Sequence, residues 1–452
     1  MASKKKEELL KWDREHIIHP AYVIGQNWGI VIEKAHGVIL EDTEGKEYID
    51  GASQLTCVNL GYGRRQVIDA VVEQMNKLQY ITLFFGLSHP AVIECSQKLA
   101  ELTPEGLDHF LFTSGGSESI ESAFKIVRMY WHNKGKDKYK IISLFGSYHG
   151  VSFGSISATG AGKGSYVKGI LPITPGFIHI PSYYCYRCAF SKQYPGCDME
   201  CAHFLARTIE LEGPESVAGF VAEPVQGVGG MIAPPPEYWP IVRKICTDYN
   251  VLLIGDEVIT GFGRTGKFWG LEHWGVVPDM MTMAKGISSA YLPFGAIAIN
   301  DEVYQGLKGL RVSAFTYSGH PVCCAAAVKA MEIYTEENIA ENASKVGAHV
   351  LERLKTEFMP LPCVGDVGGL GLMLGMEIVR DKASKATFAP SLNIMTQIQD
   401  EALKNGLFLR VTSIATYPGD RVCFTPPLTI TGDQADKALD ILKPIIANLK
   451  PS

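Results

Sequence analysis

The chain has 452 residues, of which 46% are apolar and 20% charged, and a formal net charge of −6. These values fit a compact chain with a large core and, by length, two folding units; they exclude a disordered chain, a coiled coil and a basic nucleic-acid-binding surface. No apolar run reaches bilayer length, Lys4, Lys5 and Lys6 lead into Glu7 and Glu8 rather than an apolar stretch, and eleven cysteines are scattered along the chain, so a cytoplasmic protein without membrane span, secretory signal or disulfide framework is expected.

In chain order, residues 1–60 carry short turn-bounded strands at 37–40 and 46–49 and read as the N-terminal part of a small domain. Residues 61–330 read as the large domain. Within it, apolar runs at 109–113, 140–144, 177–180, 217–222, 251–256, 280–283 and 294–299 alternate with helical spacing at 117–131 and 240–249. The runs are nearly continuous in Val, Ile, Leu and Phe, which predicts strands covered on both faces of one mostly parallel, seven-stranded sheet. Residues 331–452 mix helices with a Gly-rich strand over 370–377 and read as the C-terminal part of the small α+β domain. The fold class is α/β.

Chemistry gathers at the predicted strand ends. TSGGSESIESAFK, residues 113–125, sets Gly115, Gly116 and Ser117 between a strand and a helix, where free amides and the helix dipole suit a phosphate; an ordinary N-cap at Ser117 accounts for it equally well. SYHG, residues 147–150, offers Tyr148 to stack on a planar ring and His149 to position it, and core packing is the plainer alternative. In GDEVITGFGRTG, residues 255–266, Asp256 leaves a strongly apolar strand and needs a cationic or donor partner, which a pyridinium nitrogen supplies. In MAKGIS, residues 283–288, Lys285 follows an apolar run at the same sheet edge, where desolvation favours the neutral amine that Schiff-base chemistry requires; a surface lysine is the commoner case for this motif alone. TYSGHP, residues 316–321, is a Gly-centred turn whose Thr316 hydroxyl can reach a phosphate oxygen. Open α/β sheets bind ligands at this edge.

In that combination, order and spacing, the chain from about residue 15 onward resembles the class III aminotransferases, which are pyridoxal 5′-phosphate enzymes of fold type I. The resemblance implies that Gly116 and Ser117 bind the phosphate, Tyr148 stacks on the ring, Asp256 pairs with its nitrogen, Val258 packs behind it, Glu223 lies beside it and Lys285 holds it covalently. It also implies that Thr316 reaches the phosphate of the neighbouring subunit in a homodimer or dimer of dimers, that Leu55, Thr56, Phe84 and Phe85 wall the substrate pocket, and that Arg410 clamps a carboxylate or sulfonate. A surface ion pair is the alternative for Arg410.

Ornithine and 4-aminobutyrate members carry a glutamate at Val228 and a glutamine at Ile259, so the resemblance lies instead with members that pass the amino group of ω-amino acids, taurine-like amines or primary amines to pyruvate. The CYRC segment at 185–188 brings the taurine:pyruvate members nearest. Many relatives have Trp at Thr56, which leaves the donor side wider here.

Other readings remain. An aminomutase, racemase or decarboxylase of the same fold would use nearly the same cofactor residues. GVSFG, residues 150–154, matches a serine-hydrolase elbow at Ser152, but the strand ends near Phe145 and SYHG intervenes. GAGKGS, residues 160–165, lacks the ending of a phosphate loop. Cys185, Cys188, Cys197 and Cys201 have a spacing compatible with a zinc knuckle, yet the intervening stretch is short and free thiols account for it, so no metal is assigned.

Overall fold

A computed structural model describes residues 2–20, 22–161, 169–413 and 419–449. Its centre is a seven-stranded sheet of β4 (His109–Thr113), β5 (Lys140–Leu144), β6 (Phe177–Ile180), β7 (Val217–Ala222), β8 (Leu252–Asp256), β9 (Met280–Met283) and β10 (Gly295–Ile299), preceded in the chain by β1 (Ile32–His36), β2 (Ile39–Asp42) and β3 (Glu47–Asp50). Strand order is β4-β10-β9-β8-β7-β5-β6; β10 runs antiparallel to both neighbours and the remaining pairs are parallel. Every residue of β7, β8, β9 and β10 is buried, as expected of strands covered on both faces. Two of the seven strands start one residue later than their apolar runs, at Leu252 and Gly295.

The chain ends meet. β13 (Leu407–Phe408) pairs in parallel with β3, so a two-residue strand late in the sequence completes the sheet begun by β1, β2 and β3. A third sheet, ordered β11-β12-β15-β14, holds β11 (Val364–Leu370), β12 (Met373–Ile378), β14 (Arg410–Ser413) and β15 (Asp420–Phe424). Here two expectations are corrected. The stretch 370–377 is not one strand but the turn and second arm of the β11–β12 hairpin, because Gly371 adopts φ +55° and reverses the chain. The first predicted strand, 37–40, starts at Ile39 because Gly37, with φ +55°, makes the turn between β1 and β2.

No helix among the described residues is long and apolar enough to cross a membrane.

Candidate active site

A cavity of about 140 Å³ opens at the carboxyl ends of β5, β7, β8 and β9, lined by Gly116, Ser117, Tyr148, His149, Gly150, Glu223, Asp256, Val258, Ile259 and Lys285. All the cofactor-contacting residues expected from the sequence are thus in one place except Thr316. The ten lining residues arrive from five strand ends, those of β4, β5, β7, β8 and β9, which is how an open α/β sheet builds a site from residues far apart in sequence.

β4 ends at Thr113, whose hydroxyl lies 2.8 Å from that of Ser119, and the chain then enters the helix Gly116–Asn133. The first turn of that helix has amides without intrahelical acceptors. Glu118 in the same turn accepts from the amide of Ser114 at 2.8 Å, fixing the entry. Glycine is required at 116: a Cβ there would lie 2.9 Å from Val258 Cγ1. It is required at 150 as well, where φ is +129° and a Cβ would come within 2.5 Å of Ser117 Oγ.

Asp256 is buried, and its carboxylate is held on both oxygens. Oδ2 lies 2.7 Å from His149 Nδ1, while Oδ1 accepts from the Thr282 hydroxyl at 3.1 Å and the Val258 amide at 3.2 Å. The register Asp256↔Thr282 across β8 and β9 brings that hydroxyl into place. Thr282 carried no signal in the sequence, since only the strand register makes it a partner. His149 Nε2 is buried and has no hydrogen-bond partner among the described residues, a cost that a ligand group removes. The adjacent Glu257 faces away from the cavity and accepts from the amides of Gly270 and Leu271 at 2.8 and 2.9 Å, anchoring the turn that follows β8.

Glu223, at the end of β7, accepts from the Tyr148 amide at 2.9 Å and the Gly227 amide at 2.8 Å; burial pushes its carboxyl up to about 7. Lys285 is half-buried just beyond β9 and sits at φ +45°, a backbone conformation that a lysine adopts only at a cost. Loss of hydration first, and the nearby charge of Arg410 second, bring its ammonium down to about 8. Among the described residues the Lys285 amine has no hydrogen-bond partner.

Arg410, first residue of β14, is half-buried and forms no ion pair among the described residues, so the surface ion-pair alternative fails. The other expected rim residues lie outside the cavity. Thr56 is buried, with its hydroxyl 3.4 Å from that of Thr425, whereas Leu55 beside it is exposed. Phe84 and Phe85 stand on a surface turn, Phe85 with 93% of its surface exposed and φ +66°. Thr316 is exposed, and its carbonyl accepts from the Tyr80 hydroxyl at 2.9 Å.

The rival motifs fare differently. Ser152 precedes the short helix Phe153–Ala158 and donates to Glu121 at 2.6 Å, with Ser155 at 2.8 Å, so a carboxylate rather than a histidine base meets its hydroxyl. Of GAGKGS, residues 162–165 lie outside the described residues. Cys185, Cys188, Cys197 and Cys201 line one small cavity, but no three metal-ligating side chains among the described residues are grouped to hold an ion.

The family described as Aminotransferase class-III matches residues 23–446. The chain is 35% identical to a putrescine–pyruvate aminotransferase of Pseudomonas aeruginosa, covering 98% of this chain and 96% of that protein. It is 36% identical to a diaminobutyrate–2-oxoglutarate transaminase of Halomonas elongata, covering 95% and 94%. Among solved structures, an (S)-enantioselective ω-transaminase from Thermomicrobium roseum superposes with a TM-score of 0.91 at 40% identity, over 98% of both chains.

Proposed function

The chain belongs to the class III aminotransferases, and on that premise we propose that it moves an amino group from an ω-amino acid, a taurine-like sulfonate or a primary amine to pyruvate by a ping-pong mechanism. That it is a pyridoxal-phosphate aminotransferase taking an amine donor and a keto-acid acceptor follows from the family alone.

The residues of the cavity fit that cofactor. The Gly116 and Ser117 end of the helix suits its phosphate, the Asp256 carboxylate suits a protonated ring nitrogen, and Val258, which packs so close to Gly116 that a Cβ there would lie 2.9 Å from its Cγ1, lines the same cavity. When bound, pyridoxal phosphate supplies an electron sink for the pair left behind as the substrate carbon loses its proton.

The rest falls to the chain. Lys285 would hold the cofactor through its amine, and when that amine is free it would act as the base that takes the proton from the substrate carbon and as the acid that gives it back. An amine brought down to about 8 is neutral in a useful fraction near physiological pH, as both tasks require. Asp256, fixed by His149 and Thr282, would partner the protonated ring nitrogen, and Tyr148 and Glu223, which line the same cavity, would help to hold the ring.

One observation carries the choice of acceptor: Arg410 presents a half-buried guanidinium that has no ion pair among the described residues and whose charge helps to lower the Lys285 ammonium. Such a cation matches the carboxylate of a small keto acid or the sulfonate of a donor. Val228 stands where a glutamate would compete for that arginine. The homodimer, or dimer of dimers, is proposed on the same footing, with Thr316 reaching the neighbouring site; its exposed position agrees with that use. The division 1–60, 61–330 and 331–452 into small, large and small domain parts is likewise proposed. Amine donors screened against pyruvate, with alanine as the readout, test the function: alanine from ω-amino acids, taurine or primary amines is expected, and no alanine from any donor overturns the acceptor.

A further inference from the structure

Between the cofactor cavity and the hairpin that carries Arg410 lies the closed loop 226–232. Its two ends bond to each other, Gln226 N donating to Ile232 O at 2.9 Å and Ile232 N to Gln226 O at 3.1 Å. On the cavity side the loop is pinned, because the Gly227 amide donates to Glu223 Oε2 at 2.8 Å and a Cβ at Gly227 would lie 2.5 Å from Ile259 Cδ1. Both Glu223 and Ile259 line the cavity.

On the far side the loop is gripped by two side chains. The Thr412 hydroxyl donates to Val228 O at 2.8 Å, and Arg421 Nε donates to Gly230 O at 2.6 Å. These two residues face each other across the β14–β15 pair, in the register Thr412↔Arg421 that also sets Arg410 opposite Cys423. The fit at Gly230 is close: φ is +112°, and a Cβ would lie 2.3 Å from Arg421 Cδ. The guanidinium of Arg421 is buried and fixed from behind by Tyr184, Asp366 and Glu377. Arg410, two residues before Thr412, has no such tether of its own among the described residues.

We propose that Thr412 and Arg421 are positioning residues that register the Arg410 strand against the cofactor cavity through the 226–232 loop, and so set the affinity for carboxylate-bearing substrates. This rests on the reading of Arg410 as the carboxylate partner. It differs from a merely structural role in what it spares: an amine without a carboxylate does not use Arg410, so its half-reaction does not depend on the register of β14.

The test uses the full-length holoenzyme and follows the two half-reactions separately by the absorbance of the bound cofactor. Thr412→Val removes the hydroxyl and keeps the shape. It is expected to raise KM for pyruvate by about threefold to tenfold, the span for losing one hydrogen bond, while single-turnover reaction with an uncharged primary amine changes less than about twofold. Thr412→Ser should restore the pyruvate KM. Arg421→Lys serves as a second variant that keeps a buried cation for Asp366 and Glu377 while losing the Nε contact; its effect should follow the same split. Equal change in both half-reactions, or none in either, overturns the proposal, the latter meaning that packing of Cys423 against Val225, Met231 and Ile259 holds the hairpin alone. Arg410→Ala is run beside them. If it raises the pyruvate KM and Thr412→Val does not, only the clamp falls; if it leaves that KM unchanged, the reading of Arg410 falls and the clamp with it.

Discussion

The floor and the rim of the site are built on opposite terms. The floor comes from buried strand ends of one sheet: Asp256 is held by three donors, Glu223 by two amides, and Gly116 and Gly150 have no space for a side chain. The residues proposed for the rim, Leu55, Phe84, Phe85 and Thr316, are exposed and lie outside the floor cavity. A cofactor that must do the same chemistry each turn is met by fixed groups, and substrates that differ in size and charge are left to parts that loops, or a second copy, can rearrange.

The largest effects should therefore follow changes to the floor. Lys285→Ala should lower turnover by about 10⁴-fold, the upper end for a positioned acid–base group, and abolish borohydride-trapped cofactor label in the peptide containing residue 285. The fold should persist, because the Lys285 side chain makes no hydrogen bond among the described residues; a label retained on that peptide's replacement would break the comparison at its base. Asp256→Asn should cost about 10²–10³-fold in kcat, as loss of one preorganised electrostatic partner does, with covalent attachment intact. A change of under about threefold would mean that the ring nitrogen has no carboxylate partner.

Most of the floor was legible in the sequence, and the reason is physical. Strands buried on both faces must be apolar along their length, so β7 to β10 announced themselves, and the polar residues at or just past their ends, Asp256 and Lys285, stood out against them. Contacts fixed by register did not. Thr282 sits mid-strand in β9 and becomes a partner of Asp256 only because β8 lies beside it, and the pairing of β13 with β3 joins residues more than 350 apart through two positions. The hairpin turn at Gly371 was hidden because the glycines on either side of it read as one flexible strand.

The rim can be tested by its exposure. Phe85 is 93% exposed in one protomer, so Phe85→Ala should change the stability of an isolated chain by less than about 0.5 kcal/mol. If a second copy covers that turn, KM for a bulky donor should rise about tenfold, and the melting temperature should fall more at concentrations where wild type is dimeric than on dilution. Unchanged KM and melting at every concentration would place Phe85 outside both pocket and interface.

The smallest effect sharpens the boundary between the two regions. Covalent uptake of pyridoxal phosphate by cofactor-free protein needs the neutral amine of Lys285, so its rate should rise with pH and level off above about 8, well below the value of 10.5 for an unperturbed lysine. Two causes lower that value, loss of hydration first and the charge of Arg410 second. Arg410→Ala removes the second and leaves the first, so the midpoint should move upward but stay below that of a free lysine. Arg410→Lys keeps a cation there and should move it less. A midpoint that ignores Arg410→Ala would mean that the arginine stands too far from Lys285 for a bound substrate to touch both, and that floor and rim act on separate molecules rather than on one.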